Sequence, residues 1–311
     1  MGSRLQHRRP AHPDADDQGG RPLRQTLHGT QRLNSAAPSP AARPTAGPLV
    51  RSWRYLRLAL HIAQGLLTVL AAYPLTEIST HRHLRRRWSQ RLLAILGVEL
   101  RTKGTAVQPG CMLVANHISW LDIFVINAIA PSAFVSKAEV RAWPLIGWLA
   151  AKSETVFLRR GSRGHAKIIN AEIGALLDAG RNVALFPEGT TTDGSHVLHF
   201  HAALLQPAIE SGHAIQPMAI SYHHPDGSPS RAAAYDGDLT LGQCIANIIT
   251  TKGLVAGLYV GAPLDSRGIH RRELAKSARE AIMAATGIAE RKPEQEAAGA
   301  GAGHEQPATV G

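Results

Sequence analysis

The pattern of hydrophobic and polar positions divides the chain of 311 residues into four parts. Residues 49–97 contain one long apolar run followed by a basic segment, and residues 98–288 alternate short apolar runs with segments of helical periodicity. Residues 1–48 and 289–311 show neither pattern. Large apolar side chains are too few there to offset the entropy lost on ordering, so we predict a disordered basic N-terminal region and a disordered C-terminal tail.

The long apolar run lies between Leu58 and Leu75 and contains no charged residue. As a helix it would be about 27 Å long, close to the ~30 Å of the hydrocarbon core of a bilayer. His61 and Gln64 weaken the case for a helix that spans the bilayer, because polar side chains are costly in lipid. The pattern therefore leaves spanning and attachment to one leaflet open.

The segment after this run predicts an arginine-rich amphipathic helix, with apolar side chains on one face and arginines elsewhere. The apolar positions are Leu84, Trp88, Leu92 and Ile95, and the arginines include Arg85, Arg86 and Arg91. Such a helix is typical of a membrane surface, although a core helix with a solvated basic face has the same pattern. We predict that residues 49–97 form a membrane-associated helical segment.

Residues 98–288 have the pattern of an α/β domain. Six short apolar runs, partly β-branched and bounded by turn residues, are predicted strands. They span residues 111–117, 132–137, 154–160, 182–189, 214–222 and 254–264. Apolar residues at helical spacing predict helices over 165–180 and 269–287. Strands that alternate with helices indicate an α/β fold with a mixed sheet flanked by helices.

The first predicted strand leads into the stretch NHISWLD, which contains His117 and Asp122. In open α/β sheets the carboxyl ends of the strands line the ligand crevice. A histidine there is suited to act as a general base, and a carboxylate bonded to its other ring nitrogen would orient it. The spacing is not that of one helical face, so the turn must fold back to join the side chains. A buried polar pair without catalytic function is the alternative.

Three further stretches carry residues of interest. Arg159 and Arg160 end one predicted strand, and arginine is the side chain best suited to bidentate phosphate contacts. FPEGT (186–190) ends another, and its glycine allows backbone amides to approach an anion. Pro217 inside a strand indicates an edge, a bulge or a pocket wall. Each stretch also has a purely structural interpretation: a solvated strand end, an ion pair in a turn, or an edge strand.

Together these motifs resemble those of the lysophospholipid acyltransferase family. Four blocks match in the family's order, NHISWLD, VFLRR, FPEGT and IQPMAI, and the resemblance covers roughly residues 82–261. It implies that His117 is the general base and that Asp122 orients it. The residues implied in binding the polar head of the acceptor are Arg160, Glu188, Gly189 and Thr190, with Asn116, Lys137, Arg159 and Pro217 as additional candidates.

One position departs from many family members, which continue FPEGT with an arginine. Here Thr191 follows, and the missing guanidinium weakens the phosphate-binding role of this loop. The cations available to replace it are Lys137, Arg159, Arg160 and Arg163. The form EGTTTDG also resembles that of a bacterial subset whose acceptors include lyso-ornithine lipids, which lack a glycerol phosphate.

The resemblance implies an O-acyltransferase that moves a fatty acyl group from acyl-CoA or acyl-carrier protein to the free hydroxyl of a lysolipid. We expect 1-acyl-sn-glycerol-3-phosphate as acceptor, giving phosphatidic acid, with a lyso-ornithine lipid as the alternative. No cofactor or metal is implied, and neither Cys111 nor Cys244 is placed as a nucleophile, so we expect direct transfer. The expected oxyanion donors are the backbone amides that follow His117. The expected location is the membrane, at the cytoplasmic face of the inner membrane.

Charge adds one constraint, because 34 Lys and Arg residues against 23 Asp and Glu residues give a formal net charge of +11. Such a charge favours anionic partners, among them lipid headgroups, CoA phosphates and nucleic acid. A nucleic-acid-binding protein is therefore one alternative, but only 5% of the residues are aromatic, which leaves few platforms for base stacking. An inactive family member that scaffolds membranes is another, and it is disfavoured because His117, Asp122 and Glu188 are all present. We expect membrane lipid and an acyl donor as partners, and no nucleic acid.

Overall fold

The computed structural model describes residues 45–143, 146–158 and 163–288 of the chain. The disorder predicted for residues 289–311 and for most of the N-terminal region falls outside the described residues. The backbone amide of Ala46 donates to the carbonyl of Thr250 at 2.8 Å. The few residues before the first helix are thus already part of the fold, although the sequence pattern assigns them to the disordered region.

The described part of the chain contains eight α-helices and seven strands, and a π-helical turn (Thr68–Ala72) and a 3₁₀ turn (Tyr73–Leu75) continue the first helix. The helices are α1 (Pro48–Leu67), α2 (Ile78–Leu96), α3 (Asp122–Asn127), α4 (Ile146–Lys152), α5 (Arg163–Asp178), α6 (Gln206–Ser211), α7 (Leu241–Thr250) and α8 (Arg271–Thr286). The strands are β1 (Val98–Gly104), β2 (Met112–Ala115), β3 (Ala133–Lys137), β4 (Val156–Leu158), β5 (Val183–Leu185), β6 (Ile215–His223) and β7 (Leu254–Val260). All six predicted strands are present. β1 was missed because most of its residues are exposed, which leaves little apolar signal.

The strands form one mixed sheet in the order β1-β7-β6-β2-β5-β3-β4. Only the β6–β7 pair is antiparallel among these neighbours. Helices cover both faces, so the predicted α/β class is confirmed. β2 lies at the centre and is fully buried. Its alternate residues face two separate cores, with Leu113 and Ala115 on one side and Met112 and Val114 on the other.

Pro217 lies in β6, an interior strand, so the edge-strand interpretation is wrong. It stands opposite Val114 of β2. Towards β7 the regular pairing begins only at Met218, and the preceding contact is the isolated bridge between Ile215 and Leu264. Proline is therefore tolerated at an interruption of the β6–β7 ladder, where no amide donor is required of it.

The N-terminal helices form an antiparallel hairpin. His61 of α1 stacks on Trp88 of α2 with ring centroids 4.5 Å apart, and Tyr73 beyond α1 stacks on His81 near the start of α2. The Nε2 atom of His61 lies 3.0 Å from the carbonyl of Trp88, and the indole Nε1 donates to the carbonyl of His61 at 3.2 Å. His61, one of the two polar side chains that weakened the case for a spanning helix, thus has its polar contact inside the hairpin.

The opposite face of the hairpin is apolar and exposed. One helical segment, Pro48–Leu75, is long and apolar enough to cross a membrane, and only 6% of its most apolar window is buried. Its exposed large side chains include Leu49, Trp53, Leu56, Leu60, Leu67, Leu70 and Leu75. α2, in contrast, buries Leu92, Leu93 and Leu96 against the α/β domain. The exposure of this segment, as well as its composition, therefore makes it a candidate for membrane contact.

Candidate active site

The candidate site lies where the parallel strands β2 and β5 end. Val114 of β2 stands beside Leu185 of β5, so the chains leaving the two strands reach His117 and Glu188 at the same level. The Oε1 atom of Glu188 accepts a hydrogen bond from the backbone amide of His117 at 2.7 Å. Two of the motifs recognised in the sequence are thus in direct contact.

His117 and Asp122 form the predicted pair. The Nδ1 atom of His117 lies 2.9 Å from Oδ2 of Asp122. The turn folds back because the same oxygen accepts the amides of Ile118 and Ser119, at 2.7 and 2.9 Å. This carboxylate at the start of α3 therefore closes the turn as well as the imidazole contact. The ring of His117 is 19% exposed, and its Nε2 atom has no hydrogen-bond partner among the described residues.

Tyr222 completes the environment of Asp122 and was not identified from the sequence. Its hydroxyl donates to Oδ1 of Asp122 at 2.7 Å from the neighbouring strand β6. Burial, together with the charge of Asp122, raises the pKa of Tyr222 well above its usual value, so the hydroxyl stays protonated as a donor. Asp122 is 0% exposed, and four hydrogen bonds compensate for burying its charge.

Glu188 is directed at backbone amides. Its Oε1 atom faces His117, as described above, and its Oε2 atom accepts the amide of Leu198 at 2.8 Å. Arg279 of α8 fixes the same segment by donating to the carbonyls of Leu198 and Val197, at 3.0 and 2.8 Å. Glu188 itself is only 4% exposed. This geometry favours a role in positioning the backbone of His117 over the headgroup contact that the resemblance implies.

Burial raises the pKa of Glu188 to about 7, and the charge of Asp122 acts in the same direction, against the two amide donors and Arg279. Between about pH 5 and pH 7 the folded protein therefore holds a proton that the unfolded chain has released. Stability from this group rises as pH falls from about 8 to about 5.5, by roughly 2 kcal/mol, and is lost as pH rises through 7.

Glu188→Gln is expected to remove this component of the pH dependence. The measurement is chemical unfolding of both proteins at about pH 5.5 and pH 8, with the change in unfolding free energy compared between them. Equal pH dependence in the two proteins would contradict the assignment of a buried, titrating Glu188.

The amides that follow His117 are committed to carboxylates. Those of Ile118 and Ser119 bind Asp122, and that of His117 itself binds Glu188. The sequence predicts these amides as donors to the oxyanion of the reaction. The amides of Ile118 and Ser119 are not available for it, because each already donates to the buried carboxylate of Asp122.

The loop after Glu188 encloses His117 from the other side. Gly189 has a φ of 72°, which only glycine adopts readily, and Thr190 after it is exposed. The amide of Thr192 donates to the carbonyl of His117 at 2.9 Å. The hydroxyl of Thr191, at the position of the family arginine, donates to the carbonyl of Tyr235. Glu188 and the loop after it thus bind both backbone groups of the candidate base, Glu188 at the amide and Thr192 at the carbonyl.

Phe186 is a second residue that the sequence analysis did not assign. It immediately follows β5, and its ring stacks on that of His117 with centroids 3.9 Å apart and planes 11° apart. Phe134 of β3 lies behind it, with ring centroids 6.1 Å apart. An aromatic residue at the end of an apolar strand has the pattern of core packing, so no sequence signal distinguishes this contact.

The remaining predicted site residues divide into three groups. Asn116 is buried and extends the β2–β6 pairing, since its side chain donates to the carbonyl of Ile220 and accepts its amide, at 2.9 and 2.7 Å. Lys137 ends β3 at the same edge of the sheet and is exposed. Arg159 and Arg160 lie outside the described residues.

Both cysteines are buried, Cys111 just before β2 and Cys244 in α7. Burial raises the pKa of each thiol above its usual value. A thiol needs a lowered pKa and access to substrate to act as a nucleophile. The arrangement therefore suits direct transfer by a base rather than a covalent intermediate on sulfur.

Comparison with known proteins agrees with this geometry. A sequence model described as Acyltransferase matches residues 97–221. A lyso-ornithine lipid O-acyltransferase of Pseudomonas aeruginosa is 41% identical over 243 residues, which cover 76% of this chain and 92% of that protein. A 1-acyl-sn-glycerol-3-phosphate acyltransferase of Neisseria gonorrhoeae is 36% identical over 159 residues, covering 51% of this chain and 62% of the relative.

Among solved structures, the 1-acyl-sn-glycerophosphate acyltransferase PlsC of Thermotoga maritima has the same fold, with a TM-score of 0.58 and 22% sequence identity. The match covers 78% of this chain and 97% of that one. The sequence relatives, rather than this structural likeness, establish the family. The chain belongs to the lysophospholipid acyltransferase family, and it is an acyltransferase that acts on lysolipids.

Proposed function

We propose that His117 removes the proton from the free hydroxyl of a lysolipid, so that this oxygen attacks the thioester of acyl-CoA or acyl-carrier protein. The observation that carries the proposal is the hydrogen bonding of the two ring nitrogens of His117. Nδ1 is held by buried Asp122, while Nε2 has no hydrogen-bond partner in the described part of the chain. A general base needs one ring nitrogen oriented and the other open to the substrate.

The proposed reaction is a direct displacement. The acceptor oxygen bonds to the thioester carbonyl carbon as its proton passes to Nε2, which gives a tetrahedral intermediate and an imidazolium. The intermediate collapses with cleavage of the C–S bond, and the imidazolium proton passes to the leaving thiolate. Asp122 stabilises the imidazolium in between. General-base catalysis contributes about 10²–10⁴-fold, and a thioester is already an activated acyl donor.

For the acceptor we propose a lyso-ornithine lipid. The P. aeruginosa relative named for this activity matches over almost its whole length, whereas the N. gonorrhoeae relative named for 1-acyl-sn-glycerol-3-phosphate matches over 62% of its length. Thr191 replaces the arginine with which many family members are expected to bind phosphate. 1-Acyl-sn-glycerol-3-phosphate is the second candidate, supported by the exposed cation of Lys137 at the same edge of the sheet.

The charges beside the Thr191 loop support a zwitterionic head. Arg231 lies 3.5 Å from a carboxylate oxygen of Asp193 and 3.2 Å from one of Asp236. Two carboxylates around one guanidinium leave a net negative charge when His196, whose Nδ1 lies 3.3 Å from Asp193, is neutral. This charge attracts the ammonium group of an ornithine head and repels a phosphate dianion. Asp193 follows Thr192, whose amide donates to the carbonyl of His117, so the group is joined to the loop that contacts the backbone of the base.

The acceptor assignment is tested with a membrane-fraction assay that offers labelled acyl-CoA to a panel of lysolipids. We expect lyso-ornithine lipid to be esterified with a kcat/KM at least about tenfold above that of 1-acyl-sn-glycerol-3-phosphate. Asp193→Asn should reduce the value for lyso-ornithine lipid by about tenfold, equivalent to about 1.4 kcal/mol. Thr191→Arg should raise the value for 1-acyl-sn-glycerol-3-phosphate.

Asp265→Asn is the matched control, because Asp265 forms an exposed ion pair with Arg267 beyond β7, away from His117. It should leave both acceptors unaffected. Preference of the wild-type enzyme for 1-acyl-sn-glycerol-3-phosphate would reject the lyso-ornithine assignment and leave the general acyltransferase mechanism in place. Equal losses for both acceptors in Asp193→Asn would reject selection by charge.

We further propose that the α1–α2 hairpin lies in one leaflet, at the cytoplasmic face of the cell membrane. α1 is antiparallel to α2, and α2 is attached to the α/β domain. Arg85 of α2 donates to the carbonyl of Ser153 at 2.6 Å and to the carboxylate of Glu154 at 2.9 Å. If α1 crossed the bilayer, α2, which packs against it, would also lie in lipid together with its arginines and their contacts to the α/β domain. The exposed apolar face of α1 instead supports shallow insertion beside the site.

A further inference from the structure

We propose that Phe186 is a positioning residue for the catalytic base, and this rests on the proposed role of His117. The phenyl ring holds the plane of the imidazole so that Nε2 is presented to the acceptor hydroxyl in one orientation. The residue touches neither substrate nor the reacting atoms in this scheme. It acts entirely through His117.

The contact is face to face, with centroids 3.9 Å apart and an interplanar angle of 11°. The backbone of Phe186 is fixed by the turn that follows, since the amide of Gly189 donates to its carbonyl at 3.1 Å. Behind it, the plane of the Phe134 ring lies 23° from that of Phe186. His117 and Phe186 follow the strands β2 and β5 and Phe134 lies in β3, and these three strands are neighbours in the sheet, which brings the rings together.

The stacking supplies a restraint that hydrogen bonds do not. The bond from Nδ1 to Asp122 fixes one atom of the ring but leaves the ring free to swing about that contact. Within the described part of the chain, the other polar contacts of His117 reach its backbone, with Glu188 accepting from its amide and Thr192 donating to its carbonyl. An aromatic face parallel to the imidazole removes the remaining rotation. It also favours the imidazolium, because the face of an aromatic ring attracts a cation.

Simple core packing explains the position less well. Phe186 is only partly buried and stands just outside the strand, whereas the large side chains that fill the two cores are almost fully buried. Any bulky apolar residue would fill such a site. Only an aromatic residue offers a flat face to the imidazole. Leucine and tyrosine at this position therefore separate the two roles.

The experiment compares Phe186→Leu with Phe186→Tyr. We expect Phe186→Leu to reduce kcat by about 10- to 100-fold, as expected for a misplaced catalytic group, with the acceptor KM within about twofold of wild type. Phe186→Tyr should retain kcat within about threefold. Phe124→Leu is the matched control, because Phe124 is also partly buried but its ring contacts Trp88 and Trp120, and this variant should leave both constants unchanged.

A second readout does not depend on activity. The ring protons of His117, identified in NMR spectra by their loss in His117→Ala, should be shifted upfield by the phenyl ring current. They should move downfield in Phe186→Leu and stay in place in Phe186→Tyr and Phe124→Leu. This signal reports the stacking even if no lysolipid proves to be a substrate, so failure of the proposed function is recognised separately. Unchanged His117 shifts in Phe186→Leu, or equal loss of kcat in the Leu and Tyr variants, would overturn the proposal.

Discussion

Replacing His117 by alanine is expected to reduce acyl transfer by about 10²–10⁴-fold, the range typical of a general base. Nδ1 is bonded to Asp122, whereas Nε2 has no hydrogen-bond partner among residues 45–143, 146–158 and 163–288. Its partly exposed ring makes one hydrogen bond, so its removal should leave the fold and membrane fractionation unchanged. The measurement is kcat for the esterified lysolipid, with unfolding temperature and detergent extraction compared to wild type.

The chain offers a matched control for this substitution. His213 and Asp178 form a second histidine–aspartate pair, with Nε2 and Oδ1 2.8 Å apart. His213 precedes β6, a strand parallel to β2, and therefore lies at the opposite edge of the sheet. His213→Ala should have full activity. If His117→Ala retains most of its activity, the base assignment is wrong.

Replacing Asp122 by asparagine is expected to reduce kcat by about 10²–10⁴-fold, because the variant loses the charge that stabilises the imidazolium. It should also destabilise the fold by about 1–3 kcal/mol. The amide nitrogen of an asparagine must face one of the donors that now reach the two carboxylate oxygens, and one of these is the hydroxyl of Tyr222. Steady-state kinetics and chemical unfolding measure the two effects.

A double-variant cycle sharpens this test. If Asp122 acts on the reaction through His117, the combined variant should be no slower than His117→Ala alone, since groups that act as a unit are non-additive. Asp178→Asn is the control for loss of a histidine-paired carboxylate away from the site. Activity of Asp122→Asn within threefold of wild type, or strict additivity in the cycle, would contradict the assigned role.

Local pattern was sufficient to identify the elements around the site. Strands β2 to β7 were predicted because short apolar runs end at turn residues, and NHISWLD was placed correctly at a strand end. His117 and Glu188 each lie at the end of a predicted strand, and the structure makes these strands, β2 and β5, parallel neighbours, so that the two residues are in contact. β1 was missed because its exposed residues give a weak apolar pattern.

The roles of several residues could not be predicted from the pattern of apolar and polar positions. Tyr222 is 100 positions from Asp122 in the chain. The backbone amides of His117 and Leu198 are linked because both donate to the carboxylate of Glu188. Phe186 has the appearance of a core residue in the sequence. One interpretation of Pro217 was an edge strand, yet β6 is interior. The proline is tolerated there because the regular pairing of β6 with β7 begins only after it, and this pairing joins segments that are distant in the chain.

The sequence by itself determined the fold class, the family and the position of the imidazole and its carboxylate, because strand ends and short motifs are encoded within a few consecutive residues. Only the tertiary structure decided what each polar atom does. It shows that the amides after His117 are already occupied, that Glu188 is directed at the backbone, and that an aromatic face covers the imidazole. These contacts join strands that are adjacent in the sheet but distant in the chain, and hydrogen-bond partners are chosen by that adjacency.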